Sequence, residues 1–379
     1  MKHEHGVQVA NTIALNRFGH EYNDLLASSS TFSLQDLFTP DQFNLDEYCK
    51  DFYAHPQAEE LKIAAEDFGR HYGIWLENAK YHITCALFLY PSAHVDRMLT
   101  MMEILTIGFY LNDVMGRDKF ALLSAREQQE GRELIEELTS IDDTLAVSPS
   151  AHPIVRANAE ALASLKQGSP DSWFKDFLKY YNYHILITHR DNNTAALGDT
   201  PGMEKYIEDR LHLGGVYYIL KLIEYSDNNF LNWEQLKSIG LYNSMTRLHY
   251  SVAAFAGLSN DLFSFEKEVI DCCSDSNLVA ITMLNNPHLS LAEAILYTST
   301  IVRGLLSDCI KIIGKIKGAI KKYSIGMPDL ANLLTLHIRG IERCLQAIWM
   351  WHVFSKRYKR PHSIFKETSF PGEMARKSA

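Results

Sequence analysis

The chain has 379 residues, enough for two average domains or one large helical one, and its 46% hydrophobic and 22% charged residues give a globular balance with ample core material. A net charge of −9 argues against a nucleic-acid partner, because no basic excess offsets phosphate repulsion. No apolar run approaches the roughly 20 residues that a transmembrane span needs, and the first residues (MKHEHGVQVANTIAL) lack the apolar centre of a secretory signal. The six cysteines, at 49, 85, 272, 273, 309 and 344, form no C-x-x-C pair, so a thiol-reduced, cytoplasmic protein is expected.

In chain order, residues 1–32 read as a polar N-terminal tail. Met98, Met101, Met102, Leu105 and Phe109 then step by three and four, the period of a buried helical stripe. That stripe ends in Phe109-Tyr-Leu-Asn112-Asp113-Val-Met-Gly116-Arg-Asp118. A carboxylate at Asp113 would face the negative end of the helix dipole and so favours a nearby cation. Gly116 would release the helix and turn Asp118 back towards Asp113. A plain helix end with a polar exit loop fits this segment equally well.

Prolines at 91, 149, 153, 170, 201, 287 and 328 mark helix boundaries, and the proline-free stretch between 201 and 287 has room for three long helices, the second beginning near Asn232 or Trp233. Arg210 precedes Gly214-Gly215, a pair able to break a helix. Further on, Asn260, Ser264 and Glu268 stand at i, i+4 and i+8, within an arc of roughly 80° and about 6 Å apart along a helix axis. An amide, a hydroxyl and a carboxylate on one face suit Mg²⁺, which takes few protein oxygens and completes its shell with water and phosphate. Lys267 projects close to the same face; the plainer alternative is an amphipathic helix with Leu262, Phe263 and Phe265 as its core. Ile312, Ile313, Ile316 and Ile320 form another stripe, whose lysines read as a solvated face. Trp349-Met-Trp351-His-Val-Phe354 leads to Arg357-Tyr358, and residues 371–379 read as a C-terminal tail. The expectation is an all-α, single-domain helical bundle over residues 33–370.

With these residues assembled, the chain resembles the microbial class I terpene synthases, from about Tyr72 to Tyr358 and with the landmarks in the family's order. NDLFSFEKE is similar to the second metal motif, in which Asn260, Ser264 and Glu268 would hold Mg²⁺ and Lys267 would contact diphosphate. Arg210 stands where the family keeps a diphosphate-sensing arginine, with Leu213 and Gly214 at the linker and effector positions of the helix break. Trp351 followed by Arg357-Tyr358 resembles the C-terminal signature, and Leu89-Tyr90-Pro91 resembles the approach to the first metal motif. That first motif departs from the pattern. The family opens it with two acids and places a third three or four positions after the second, whereas here Asn112-Asp113 replaces the pair and the next acid is Asp118. Aligned on Phe109, Asn112 takes the first acid's place and Asp113 the second; shifted by one, Asp113 takes the first and no second follows. Either way Asp113 is expected to be the main ligand, with the role of Asp118 open.

The resemblance implies a carbon–oxygen lyase that ionises farnesyl or geranylgeranyl diphosphate with three Mg²⁺ ions and cyclises the cation to a sesquiterpene or diterpene. Asp113, Arg210 and Gly214 would act in catalysis; Asp113, Asp118, Asn260, Ser264 and Glu268 would bind metal. Arg210, Asn260, Lys267, Arg357 and Tyr358 would bind diphosphate. Phe109, Trp351 and Phe255 are candidate cavity walls, and Ala253, Ala254, Ala256 and Gly257 would leave room beside them. A homodimer is left open. Two other readings are a chain-elongating prenyl diphosphate synthase, which resembles a carrier of two aspartate-rich motifs, and a non-catalytic helical ligand carrier.

Overall fold

The structure is a computed structural model that describes residues 2–41 and 43–370. Helices dominate, and among the described residues the only β pairings are two isolated bridges, Phe32 with Phe365 and Arg360 with Ser369. At the centre lies the helix Tyr242–Phe265, in which every residue from Ser251 to Ser259 is buried. A helix that is apolar all round needs neighbours on every side. It packs against Leu291–Tyr323, Met203–Leu213, Val216–Ser226 and Pro328–Phe354. Around this centre run Val95–Met115, Pro153–Gln167 and Asp171–Thr188. No helix is long and apolar enough to cross a membrane among the described residues.

Local chemistry sets many of the boundaries. Pro153 and Pro328 open their helices at the first position, where the missing N–H costs nothing. Ser124 with Glu127 and Ser290 with Glu293 form capping boxes. The Met98–Leu105 stripe is buried as the sequence implies. The stretch between Pro201 and Pro287 is more broken than three long helices. It contains Met203–Leu213, Val216–Ser226, Trp233–Ser238, Tyr242–Phe265, a π-helical turn Glu266–Asp271, and Leu278–Asn285. Left-handed residues Gly215, Asn228 and Gly240 divide the first four of these. Asn232 does cap a helix, through its side chain to the Gln235 N–H, but that helix has only six residues.

The N-terminal tail reading is corrected. Lys2–Ala27 forms a helix, with Phe18 and Tyr22 buried and Leu15 and Leu25 packed against the core. Those four positions follow a helical period that polar neighbours obscure. The Tyr22 hydroxyl donates to Glu266 Oε1 at 2.9 Å, and the same carboxylate accepts Ser363 Oγ at 2.7 Å and the Ile364 N–H at 3.0 Å. Glu266 thus ties both ends of the chain to the turn that carries Lys267 and Glu268. Residues 371–379, read as the C-terminal tail, lie outside the described residues.

Candidate active site

The stripe helix Val95–Met115 delivers the first motif. It ends as expected at Gly116, where a Cβ would run into the Asn112 carbonyl oxygen, so the close turn excludes a side chain. Beyond it Arg117 and Asp118 are both buried. Asp118 does not face Asp113; its Oδ2 pairs with Lys267 Nζ at 2.6 Å. Asp113 pairs instead with Arg357 Nη2 at 2.6 Å, and His82 Nδ1 lies 3.1 Å from its other oxygen. Burial alone would raise the Asp113 carboxyl, but the His82 hydrogen bond and the Arg357 charge hold it well below the usual carboxylate range. Burial likewise lowers His82, which keeps the imidazole neutral.

The expected helix break forms between Leu213 and Val216, with Gly215 at φ 68°. Arg210, one turn earlier, is held from two sides: Nε donates to Asp261 Oδ1 at 2.8 Å and Nη2 to Asn260 Oδ1 at 2.8 Å. Gly257 permits this approach, since a Cβ there would lie 3.3 Å from both Arg210 Cγ and the Arg210 carbonyl oxygen.

The second motif keeps its α-helical course only to Phe265. The π-helical turn then carries Lys267 and Glu268, so the three oxygens do not follow one uniform helical face. Ser264 Oγ donates back to the Asn260 carbonyl at 2.7 Å. Asn260 Nδ2 donates to Tyr358 Oη and to His352 Nε2, each at 2.9 Å. Burial lowers His352 to about 4, so it accepts as a neutral ring. Glu268 receives Arg117 Nη2 on both oxygens at 2.9 Å and Asn277 Nδ2 at 3.0 Å. Burial raises the Glu268 carboxyl, opposed by the Arg117 charge.

One cavity of about 220 Å³ joins these groups to an apolar interior. Arg210, Asn260, Lys267, Glu268, Arg357 and Tyr358 line its polar end, together with Asp118 and Gly214. Phe109 and Trp351 line its wall with ring centroids 6.2 Å apart, and Ala256 and Gly257 leave space between helices. Arg357 sits 5.8 Å above the Phe109 ring. Asp113 and Ser264 are not part of the cavity surface: the first lies against Arg357, the second bonds its own helix. Phe255 is buried in the core and is no wall residue.

Sequence reasoning missed Arg117, Asp261, Asn277, His82 and His352. Asp261 is completely buried and accepts from Arg117 at 3.0 Å, Arg210 at 2.8 Å and Tyr206 Oη at 2.5 Å. It stood inside the NDLFSFEKE stretch but off the face that drew attention. Arg117 had a signal as well: it occupies one of the two places where the motif's third acid is expected.

In sequence and in fold the chain is similar to known proteins. The family model described as "Terpene synthase family 2, C-terminal metal binding" matches residues 103–308, more than half of the chain. The chain is similar to 10-epi-cubebol synthase of Sorangium cellulosum, 20% identical over 314 residues that cover 81% of this chain and 95% of the relative. It also matches sesquiterpene cyclase hepA of Aspergillus oryzae, 22% identical over 211 residues, 56% of this chain and 55% of that protein. In fold it resembles germacradien-4-ol synthase from Streptomyces citricolor, with a TM-score of 0.67 at 17% identity, covering 85% of this chain and 99% of the other. With the matched region spanning both motifs and the helix break between them, the chain belongs to terpene synthase family 2, the metal-binding terpene cyclases.

Proposed function

We propose that the protein ionises a linear prenyl diphosphate with the help of Mg²⁺ and cyclises the resulting carbocation, with farnesyl diphosphate as the substrate. The observation that carries this reading is the single cavity whose one end is lined by Arg210, Lys267, Glu268 and Arg357 and whose wall is formed by Phe109 and Trp351. A similar protein named a sesquiterpene cyclase favours the C15 chain over geranylgeranyl diphosphate.

The donor chemistry fits Mg²⁺. Among the described residues no group of three His, Cys, Asp or Glu forms a ready cage; Asn260, Ser264 and Glu268, with Asp113 from the first motif, would supply hard oxygens on release from their present partners. Few protein ligands with room for water and phosphate is the pattern this ion prefers. Bound there, Mg²⁺ would act as a Lewis acid on the negative charge that develops on the departing diphosphate.

The remaining work falls to the chain. Arg210 and Arg357 present paired N–H donors that match phosphate oxygens, and Lys267 and Tyr358 add single donors at the same end. In a site shielded from water such fixed donors favour the transition state, in which further negative charge gathers on the departing diphosphate, over the bound ester. The faces of Phe109 and Trp351 stabilise a carbocation without reacting with it. The segment Ser355–Phe370, tied down through Glu266, brings Arg357 and Tyr358 to this end, and its closure over the bound substrate would keep water away.

Incubation with C10, C15, C20 and C25 diphosphates plus Mg²⁺, followed by GC–MS and a diphosphate assay, tests the reading. A cyclic C15 product that disappears with EDTA is the expected result. Absence of diphosphate release from every substrate would sink the proposal. A longer prenyl diphosphate formed on adding isopentenyl diphosphate would replace it with the elongating reading.

A further inference from the structure

Around the polar end of the cavity each carboxylate has a cationic partner within 3.0 Å: Asp113 with Arg357, Asp118 with Lys267, Asp261 with Arg210, and Glu268 with Arg117. Three of these cations are the donors proposed above to receive a diphosphate, and that ligand would draw them off their carboxylates. Arg117 differs. It stands four residues after Asp113, one of the two places where the motif's third acid is expected, and puts a positive charge there. Nη1 donates to the Ser276 carbonyl on the far side, while Nη2 spans both Glu268 oxygens at 2.9 Å and reaches Asp261 at 3.0 Å. Asn277 Nδ2, itself bonded to the Asp261 carbonyl at 2.8 Å, adds a further donor to Glu268 at 3.0 Å. Both oxygens of the carboxylate expected to serve the second motif are thus engaged by donors that Ser276 and Asp261 hold in place.

We infer that Arg117 is an internal cation that competes with the divalent ion for Glu268, so that the free protein holds this ion weakly. The inference rests on the reading of Asn260, Ser264 and Glu268 as ion-binding groups. An ion arriving at Glu268 has to share the carboxylate with a buried guanidinium, which lowers its affinity through like-charge repulsion. Removing the guanidinium leaves Asn277 on Oε2 and frees Oε1, so the carboxylate's charge in this low-dielectric site is no longer offset and is available to a cation.

The test is Mn²⁺ binding to the full chain without any diphosphate, read by EPR of the free ion, in wild type, Arg117→Gln, Glu268→Gln and Arg117→Gln/Glu268→Gln. The expected result is that Arg117→Gln binds Mn²⁺ about tenfold or more tighter than wild type, because a buried pair that loses one partner leaves the other strongly unsatisfied. The double variant should lose that gain. Arg117→Gln is also expected to show a larger Mn²⁺-induced rise in melting temperature than wild type. Should Arg117→Gln not fold, Arg117→Lys keeps the charge but loses the fork and should give a smaller gain. Mn²⁺ titrations of Arg117→Gln and Arg117→Lys that overlay wild type overturn the inference. So does a wild-type protein that already binds Mn²⁺ tightly and loses it in Glu268→Gln. The outcome is separable from the proposed function: a protein that turns over no prenyl diphosphate yet shows the Mn²⁺ gain keeps this inference and loses the other, and turnover without the gain does the reverse.

Discussion

The helix Tyr242–Phe265 buries polar side chains near both of its ends, and the two ends are built differently. Towards its C-terminus Asn260 and Asp261 join a network in which carboxylates and cations are matched and Asn260 uses both its oxygen and its nitrogen. Towards its N-terminus His249 Nε2 meets His337 Nε2 at 3.0 Å with stacked rings, and burial lowers His337 to about 3, so this pair is neutral. Nearby Trp233 Nε1, His337 Nδ1 and Glu224 Oε1 have no hydrogen-bond partner among the described residues. Lys221, paired with Asp176 at 2.5 Å, is the charge that these groups share as a neighbour. One end is therefore a set of matched ion pairs, the other a neutral histidine pair beside a single ion pair, with three unpartnered polar atoms around it. An unpaired buried polar atom costs stability wherever it lies, whereas a matched set of charges can be exchanged for a charged ligand. Substitutions at the charged end should consequently act on turnover and those at the neutral end on stability.

The largest effect is expected at the charged end. Glu268→Gln and Asp113→Asn should each lower turnover by at least about 10²-fold, since several kcal/mol of transition-state stabilisation depend on the groups they hold. Asn112→Asp should be tolerated or should improve Mg²⁺ affinity. Diphosphate release across a Mg²⁺ titration checks all three, and a Glu268→Gln enzyme with near wild-type turnover at limiting Mg²⁺ removes Glu268 from the site. Loss on altering Asp118 with Asp113 dispensable would reverse their ranking.

Arg210→Lys comes next. Lysine cannot reproduce the paired contacts to Asp261 and Asn260, so ionisation should slow by about 10²-fold, the effect of removing one fixed oxyanion donor. The ratio of hydrocarbon products should stay the same, because the cation forms before its fate is decided. A changed ratio by GC–MS would show that Arg210 also shapes the cavity.

Trp351→Leu should behave in the opposite manner, with diphosphate release retained and products shifted towards early-quenched ones as one aromatic face is lost. Identical product ratios would reduce Trp351 to packing.

The smallest effect belongs to the neutral end. Burial pushes the Glu224 carboxyl up to about 7, above its value in an unfolded chain. A carboxyl raised on folding contributes stability at low pH that is lost as pH rises from about 4.5 through 7. Glu224→Gln should thus raise stability by roughly 1–3 kcal/mol at pH 8 and change it little at pH 4.5. Melting curves at the two pH values decide this, and an equal effect at both would place the cost in packing.

Much of the charged end was legible in the sequence, but as a set of residues without partners. The i, i+4, i+8 spacing singled out Asn260, Ser264 and Glu268, and the double glycine after Arg210 marked the break, because both are local matters of helical period and backbone freedom. Lys267 was read as a diphosphate donor, and in the structure it faces Asp118, 149 residues away in sequence. Arg117 reaches Glu268 across 151 residues, and no spacing rule connects such positions. The neutral end left no trace at all, since a histidine within an apolar stripe looks the same whether or not another ring faces it.

By itself the sequence determined the all-helical class, many helix boundaries and the residue types gathered at the candidate site, because a 3.6-residue period, proline's fixed φ and glycine's left-handed freedom operate within a few residues. Tertiary structure alone decided that the N-terminal residues dock as a helix, that the second motif ends in a π-helical turn, and which carboxylate meets which cation. Those outcomes depend on charges and apolar faces brought together from distant parts of the chain, where burial strengthens each pairing and makes each unpaired group costly.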